Sequence, residues 1–205
     1  MYIGAYLSME WWNAGFETKV DNAKWQLKWH HHGYVSEWRK PDSPFWADTG
    51  DPNNDLEGSP INSKCETNSD KPDRIVFLTM DWDLVEESQW ISGINEVVTN
   101  IKTKYPSVKR LDLMTYVRCP DNMQCNPNAD YGPGANPVAS RQDCRVTAEQ
   151  DSAMDKVVAA NPTFVAWGPK PEMAMCNPSH DGAHMTPEGN AQAATDIAAF
   201  YNAQP

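Results

Sequence analysis

The chain has 205 residues, with 17 Lys and Arg against 28 Asp and Glu and a formal net charge of −11. That length suits one domain, residues 1–205, with a substantial core, and the acidic balance argues against nucleic acid or an anionic membrane surface as a partner. No apolar run approaches the roughly 18 residues that span a bilayer, and no repeat or low-complexity tract is visible.

In chain order, Tyr2–Leu7 predicts a buried strand, and Ser8 follows it at once. Met9–Lys28 holds a candidate helix. Residues 38–72 are rich in Pro, Asp, Asn, Gly and Ser and predict a long loop. Arg74–Met80 is the next apolar strand. From Glu86 to Tyr105, Trp90, Ile91, Ile94, Val97, Val98 and Ile101 recur at helical spacing until Pro106 ends the run. Arg110–Val117 predicts a third strand, and residues 118–145 a second long loop. Val146–Ala160 is a helix stopped by Asn161-Pro162. Thr163–Trp167 is the last strand, and Ala191–Tyr201 the last helix. This alternation predicts an α/β fold with a parallel sheet covered on both faces. Ligands of such sheets bind beyond the carboxyl ends of the strands.

The five cysteines are Cys65, Cys119, Cys125, Cys144 and Cys176. Their spacings fit no zinc motif, and they point to an oxidising compartment, secreted or periplasmic. Connectivity does not follow from spacing. Cys119–Cys125 and Cys144–Cys176 are the expected bonds, with Cys65 free; five reduced thiols are the alternative. No signal peptide is visible, so either the protein is cytoplasmic or a leader has been removed. His30-His31-His32 offers imidazoles, but adjacent residues point in different directions. Asp51-Pro52-Asn53-Asn54-Asp55 starts like a calcium loop yet lacks the Gly at the sixth position and the Glu at the twelfth. No metal and no cofactor is expected. Six of the nine tryptophans, Trp11, Trp12, Trp25, Trp29, Trp38 and Trp46, precede residue 50. They are either packing or an aromatic platform for sugar rings or acyl groups.

The most specific motif is Asp181-Gly182-Ala183-His184, followed by Met185-Thr186-Pro187-Glu188-Gly189. Thr186 predicts an N-cap, Pro187 the first helical position and Glu188 the first turn. The preceding loop can aim Asp181 at one imidazole nitrogen of His184, leaving the other to accept a proton; His180 is the weaker alternative base. The segment DGAHMTPEGNAQAATDIAAFY resembles the closing motif of the SGNH/GDSL hydrolases, which carries their catalytic Asp and His. The resemblance implies a three-layer α/β/α sandwich with a flavodoxin-like sheet. It also implies a monomeric esterase acting on a small-molecule or carbohydrate ester. Those enzymes place a nucleophilic Ser after the first strand, in Gly-Asp-Ser-Leu. Here Gly4-Ala5-Tyr6-Leu7-Ser8 takes that register, so Tyr6 stands where the nucleophile belongs. A phenol is a poor acyl-transfer nucleophile at neutral pH. Ser8, two residues on, would share a side with Tyr6 if the strand continued. Either Ser8 is a displaced nucleophile, or it merely caps the following helix and the chain is a non-catalytic carbohydrate-binding relative. Gly33 matches the second-block oxyanion donor. In the third block Asp81-Trp82-Asp83 replaces the family's Asn, and a carboxylate repels an oxyanion.

Overall fold

A computed structural model describes residues 1–20, 25–30, 32–46, 71–116, 146–172 and 185–204, without the side chain of Tyr6. All five cysteines, the calcium-like run, His180, Asp181 and His184 lie outside the described residues.

Five strands pair into one sheet: β1 (Tyr2–Gly4), β2 (Leu27–Trp29), β3 (Arg74–Thr79), β4 (Arg110–Thr115) and β5 (Val165–Trp167). Every pairing is parallel and the order is β2-β1-β3-β4-β5. The fold is therefore α/β with a parallel sheet in the flavodoxin-like order. In chain order the helices are α1 (Tyr6–Trp11), α2 (Glu17–Lys19), α3 (Val35–Trp38), α4 (Glu87–Lys104), α5 (Ala148–Ala160) and α6 (Pro187–Asn202). A π turn at Trp12–Phe16 joins α1 to α2, and a 3₁₀ turn lies at Pro44–Trp46 within the predicted long loop.

The described residues fall into two compact units. The first draws on Met1–Met9, Ala23–Thr115 and Ala148–Gly168, and holds the whole sheet. Period-two alternation places Ile75 and Phe77 of β3 with Leu111 and Leu113 of β4 in a core shared by Val35, Ile94, Val97, Ile101 and Met154. The alternate residues Tyr2, Val76, Leu78 and Met114 are buried too. Continuous burial on both faces explains why these strands are unbroken apolar runs. One polar intrusion is Asp112, wholly buried, whose carboxylate takes Arg74 at 2.5 Å and Arg110 at 2.7 Å. The two guanidiniums at the amino ends of β3 and β4 compensate the desolvated charge.

The second unit draws on Glu10–Asn22, Tyr116–Thr147 and Pro169–Pro205. Its described part is built on α6, whose Ala193, Ala194, Ile197, Ala198 and Tyr201 are buried. The Trp11 indole N–H meets Met185 Sδ at 3.2 Å. Thr186 Oγ1 accepts from the Gly189 N–H at 3.2 Å, with Pro187 first in the helix, the predicted capping arrangement.

The first strand corrects the sequence reading. It ends at Gly4, not Leu7, and helix begins at Tyr6. The second strand, Leu27–Trp29, falls inside and beyond the stretch taken as a helix. Among the described residues no helix is long and apolar enough to cross a membrane.

Candidate active site

In this strand order the chain leaves β1 toward β2 and later returns to β1's other side as β3. That reversal is a topological switch point, and the carboxyl ends beside it are where such sheets take ligands. Three short segments meet there: the β1–α1 turn with Ser8, the segment after β2 with Gly33 and Tyr34, and Asp81-Trp82-Asp83 after β3.

Two glycines permit the approach. A Cβ on Gly33 would lie 2.5 Å from the Gly4 carbonyl oxygen. A Cβ on Gly4 would lie 2.2 Å from Ser8 Oγ and 2.8 Å from Leu78 Cβ. Side chains at either position would force the strand ends apart. The Val35 N–H donates to the Met80 carbonyl at 2.9 Å, and the Ser36 N–H donates to Asp81 Oδ2 at 2.6 Å. The segment after β2 is thus tied to the end of β3.

Because β1 stops at Gly4, Ser8 does not extend a strand; it sits in the first turns of α1, where its N–H donates to the Ala5 carbonyl at 2.9 Å. It is not the N-cap of a helix at Met9, because the helix has already begun. Its side chain turns back onto the sheet, into the space that a side chain on Gly4 would need. Ser8 is wholly enclosed, at 0% exposure, and its Oγ has no hydrogen-bond partner among the described residues. The Tyr2 phenol is a neighbour, and burial pushes its pKa well up. The phenol itself points at Met114 Sδ, 3.9 Å away. An unsatisfied buried hydroxyl costs roughly 1–3 kcal/mol. Such orphans call for an explanation.

Gly33 is not idle. Its N–H donates to the His30 carbonyl at 3.0 Å and its own carbonyl accepts from the Trp38 indole at 2.9 Å. It serves as an oxyanion donor only if the His30 turn opens. Asp81 is buried and accepts from two backbone N–H groups, Ser36 and Asp83, the latter at 2.9 Å. It staples two loops together instead of facing a reacting carbonyl.

Of the histidine run, His30 and His32 are described, and they meet different neighbours. His30 is buried against Phe45, with ring centroids 4.1 Å apart and nearly parallel, while exposed His32 meets Tyr34 edge-on at 5.9 Å. His31 lies outside the described residues. Burial, then nearby Lys28, lowers the His30 pKa to about 4. The buried Lys28 ammonium donates to the Trp46 carbonyl at 2.9 Å and the Tyr105 hydroxyl at 3.3 Å.

The tryptophan cluster also differs from a platform. Trp11, Trp12, Trp25, Trp38 and Trp46 are all buried. Trp38 and Trp46 pack edge-to-face at 4.9 Å. Of the six early tryptophans only Trp29 is partly open. Two partly exposed rings at the carboxyl edge are Tyr34 and Trp82, perpendicular at 6.2 Å. In the sequence Trp82 stands out only within Asp81-Trp82-Asp83, and Tyr34 carries no motif. The available signal was position: each directly follows a strand bordering β1.

Comparison of the chain with protein-family models, with curated proteins and with solved structures finds no match.

Proposed function

We propose that this protein is a serine esterase of SGNH type, with Ser8 as nucleophile, His184 as base and Asp181 orienting the imidazole. The single observation that supports it most is Ser8 itself: a fully buried hydroxyl in the first turns of α1, without a hydrogen-bond partner among the described residues, beside the switch point of a flavodoxin-order sheet. In this reading Ser8 Oγ attacks the ester carbonyl while its proton passes to His184. Collapse of the tetrahedral intermediate releases the alcohol, protonated by His184, and water then hydrolyses the acyl-enzyme. Because Ser8 is enclosed, the first turn of α1 moves outward to admit substrate, and the Gly33 N–H leaves the His30 carbonyl to meet the oxyanion. The Asp-x-x-His segment supplies the remaining support, through its resemblance to the family's closing motif. An exported protein with its helices on both sheet faces completes the proposal.

A second reading is favoured by the same enclosure. With Ser8 sealed, Gly33 N–H engaged and a carboxylate at the third block, the fold serves as a non-catalytic carbohydrate-binding protein. A fluorophosphonate separates the two. Under the esterase reading Ser8 Oγ displaces fluoride from phosphorus, and peptide mass spectrometry finds the phosphonyl group on Ser8. An unlabelled protein, or a label elsewhere, favours the binding reading.

A further inference from the structure

Rings and carboxylates at the carboxyl edge have no part in the chemistry above. Tyr34 and Trp82 meet at 86° and 6.2 Å, and His32 meets Tyr34 at 63° and 5.9 Å. Tyr34 and Trp82 are partly exposed, while His32 and Asp83 are exposed. The loop that carries Trp82 is tied down at Asp81, both of whose carboxylate oxygens accept from backbone N–H groups. Rings already in contact leave no room for a guest between them. A ligand therefore meets a ledge, not an enclosing box. A ledge suits the flat C–H face of a pyranose, whereas a quaternary ammonium is best held between facing rings. The polar surroundings agree. The exposed Asp83 carboxylate accepts hydrogen bonds from hydroxyls and repels anions. The Tyr34 phenol is held protonated by burial, with Asp81 and Asp83 adding to the effect and the Trp82 side chain partly opposing it, so it remains a donor.

We infer that Tyr34, Trp82 and Asp83 form a subsite for a neutral sugar ring, with the ring stacked on the aromatic ledge and its hydroxyls on Asp83. The inference rests on the esterase reading for its role, as the holder of the sugar portion of an acylated carbohydrate. The binding itself needs no turnover.

The test is calorimetric titration of the full chain with xylohexaose, cellohexaose and chitohexaose, with tetramethylammonium as the competing probe. At least one oligosaccharide is expected to bind and to change tryptophan fluorescence. Trp82→Ala should weaken that binding by about tenfold or more. Trp82→Phe, which keeps a ring, should recover part of it. Asp83→Asn, at an exposed side chain with little packing to lose, should weaken it by roughly threefold to tenfold. Unchanged thermal melting shows that each variant is folded. No binding by any oligosaccharide overturns the inference, as does equal binding by folded Trp82→Ala or tighter binding of tetramethylammonium. Failure of the esterase reading appears separately, as absence of Ser8 labelling by the fluorophosphonate.

Discussion

Ser8 and Gly4 form a coupled pair: the serine oxygen occupies the space where any larger residue at position 4 would put its Cβ. Gly4→Ala should therefore destabilise the fold by about 1–3 kcal/mol. The loss should shrink in a Ser8→Gly background, though not vanish, because Leu78 Cβ still stands 2.8 Å from the new methyl. A double-mutant cycle in urea measures that coupling, and strict additivity would contradict it. His30 gives a second prediction. Its pKa falls from 6.5 to about 4 in the folded chain. Above the upper value both states carry a neutral ring. As pH falls through the window the unfolded chain takes up a proton that the native chain refuses, so stability declines until the lower value is reached. Wild type should lose stability relative to His30→Gln between those two values. Parallel profiles for the two proteins would count against the buried, neutral ring.

At the scale of elements, α6 depends on its cap. Thr186→Ala removes the acceptor for the Gly189 N–H and should cost about 1 kcal/mol, read as a lower urea midpoint at constant slope. A Thr186→Ser variant should recover most of that loss. The same helix shows what was legible in the sequence. Its cap, its proline and its alternating small residues are local signals, and α4 and α5 declare themselves likewise through helical spacing and a terminating proline. β3 and β4 were legible because burial on both faces leaves long apolar runs. β1 was drawn too long because Ala5-Tyr6-Leu7 is equally apolar in a buried helix, and periodicity cannot separate the two over so few residues. β2 was missed because three residues, with Lys28 in the middle, carry no pattern. Its strand state comes from pairing with Tyr2, Ile3 and Gly4, a tertiary effect. At the site, neither the helical setting of Ser8 nor its burial was legible, because the end of β1 at Gly4 carries no local signal. The role of Asp81 was not legible: its carboxylate accepts from the Ser36 N–H, a contact between two loops far apart in sequence.

On the scale of the whole molecule, strand order links these parts. The order β2-β1-β3-β4-β5 sets the segments after β1, β2 and β3 side by side, so Ser8, Gly33, Tyr34 and Trp82 share one sheet edge although 74 positions separate Ser8 from Trp82 (82 − 8). The chain's net charge of −11 disfavours the approach of anionic ligands in general. The oxidising environment expected from the cysteines is open to a direct check. Non-reducing peptide mapping of the native protein should show at least one disulfide among Cys119, Cys125, Cys144 and Cys176, and complete alkylation of all five thiols without reductant would refute it. The most direct test of the central claim is the steady-state hydrolysis of p-nitrophenyl acetate by wild type, Ser8→Ala and His184→Ala, each verified as folded. If Ser8 and His184 are nucleophile and base, wild type turns over and the two variants fall together, each by at least about 10³-fold, because the groups act as one unit. A folded wild type without turnover, or a Ser8→Ala variant as active as wild type, would contradict it.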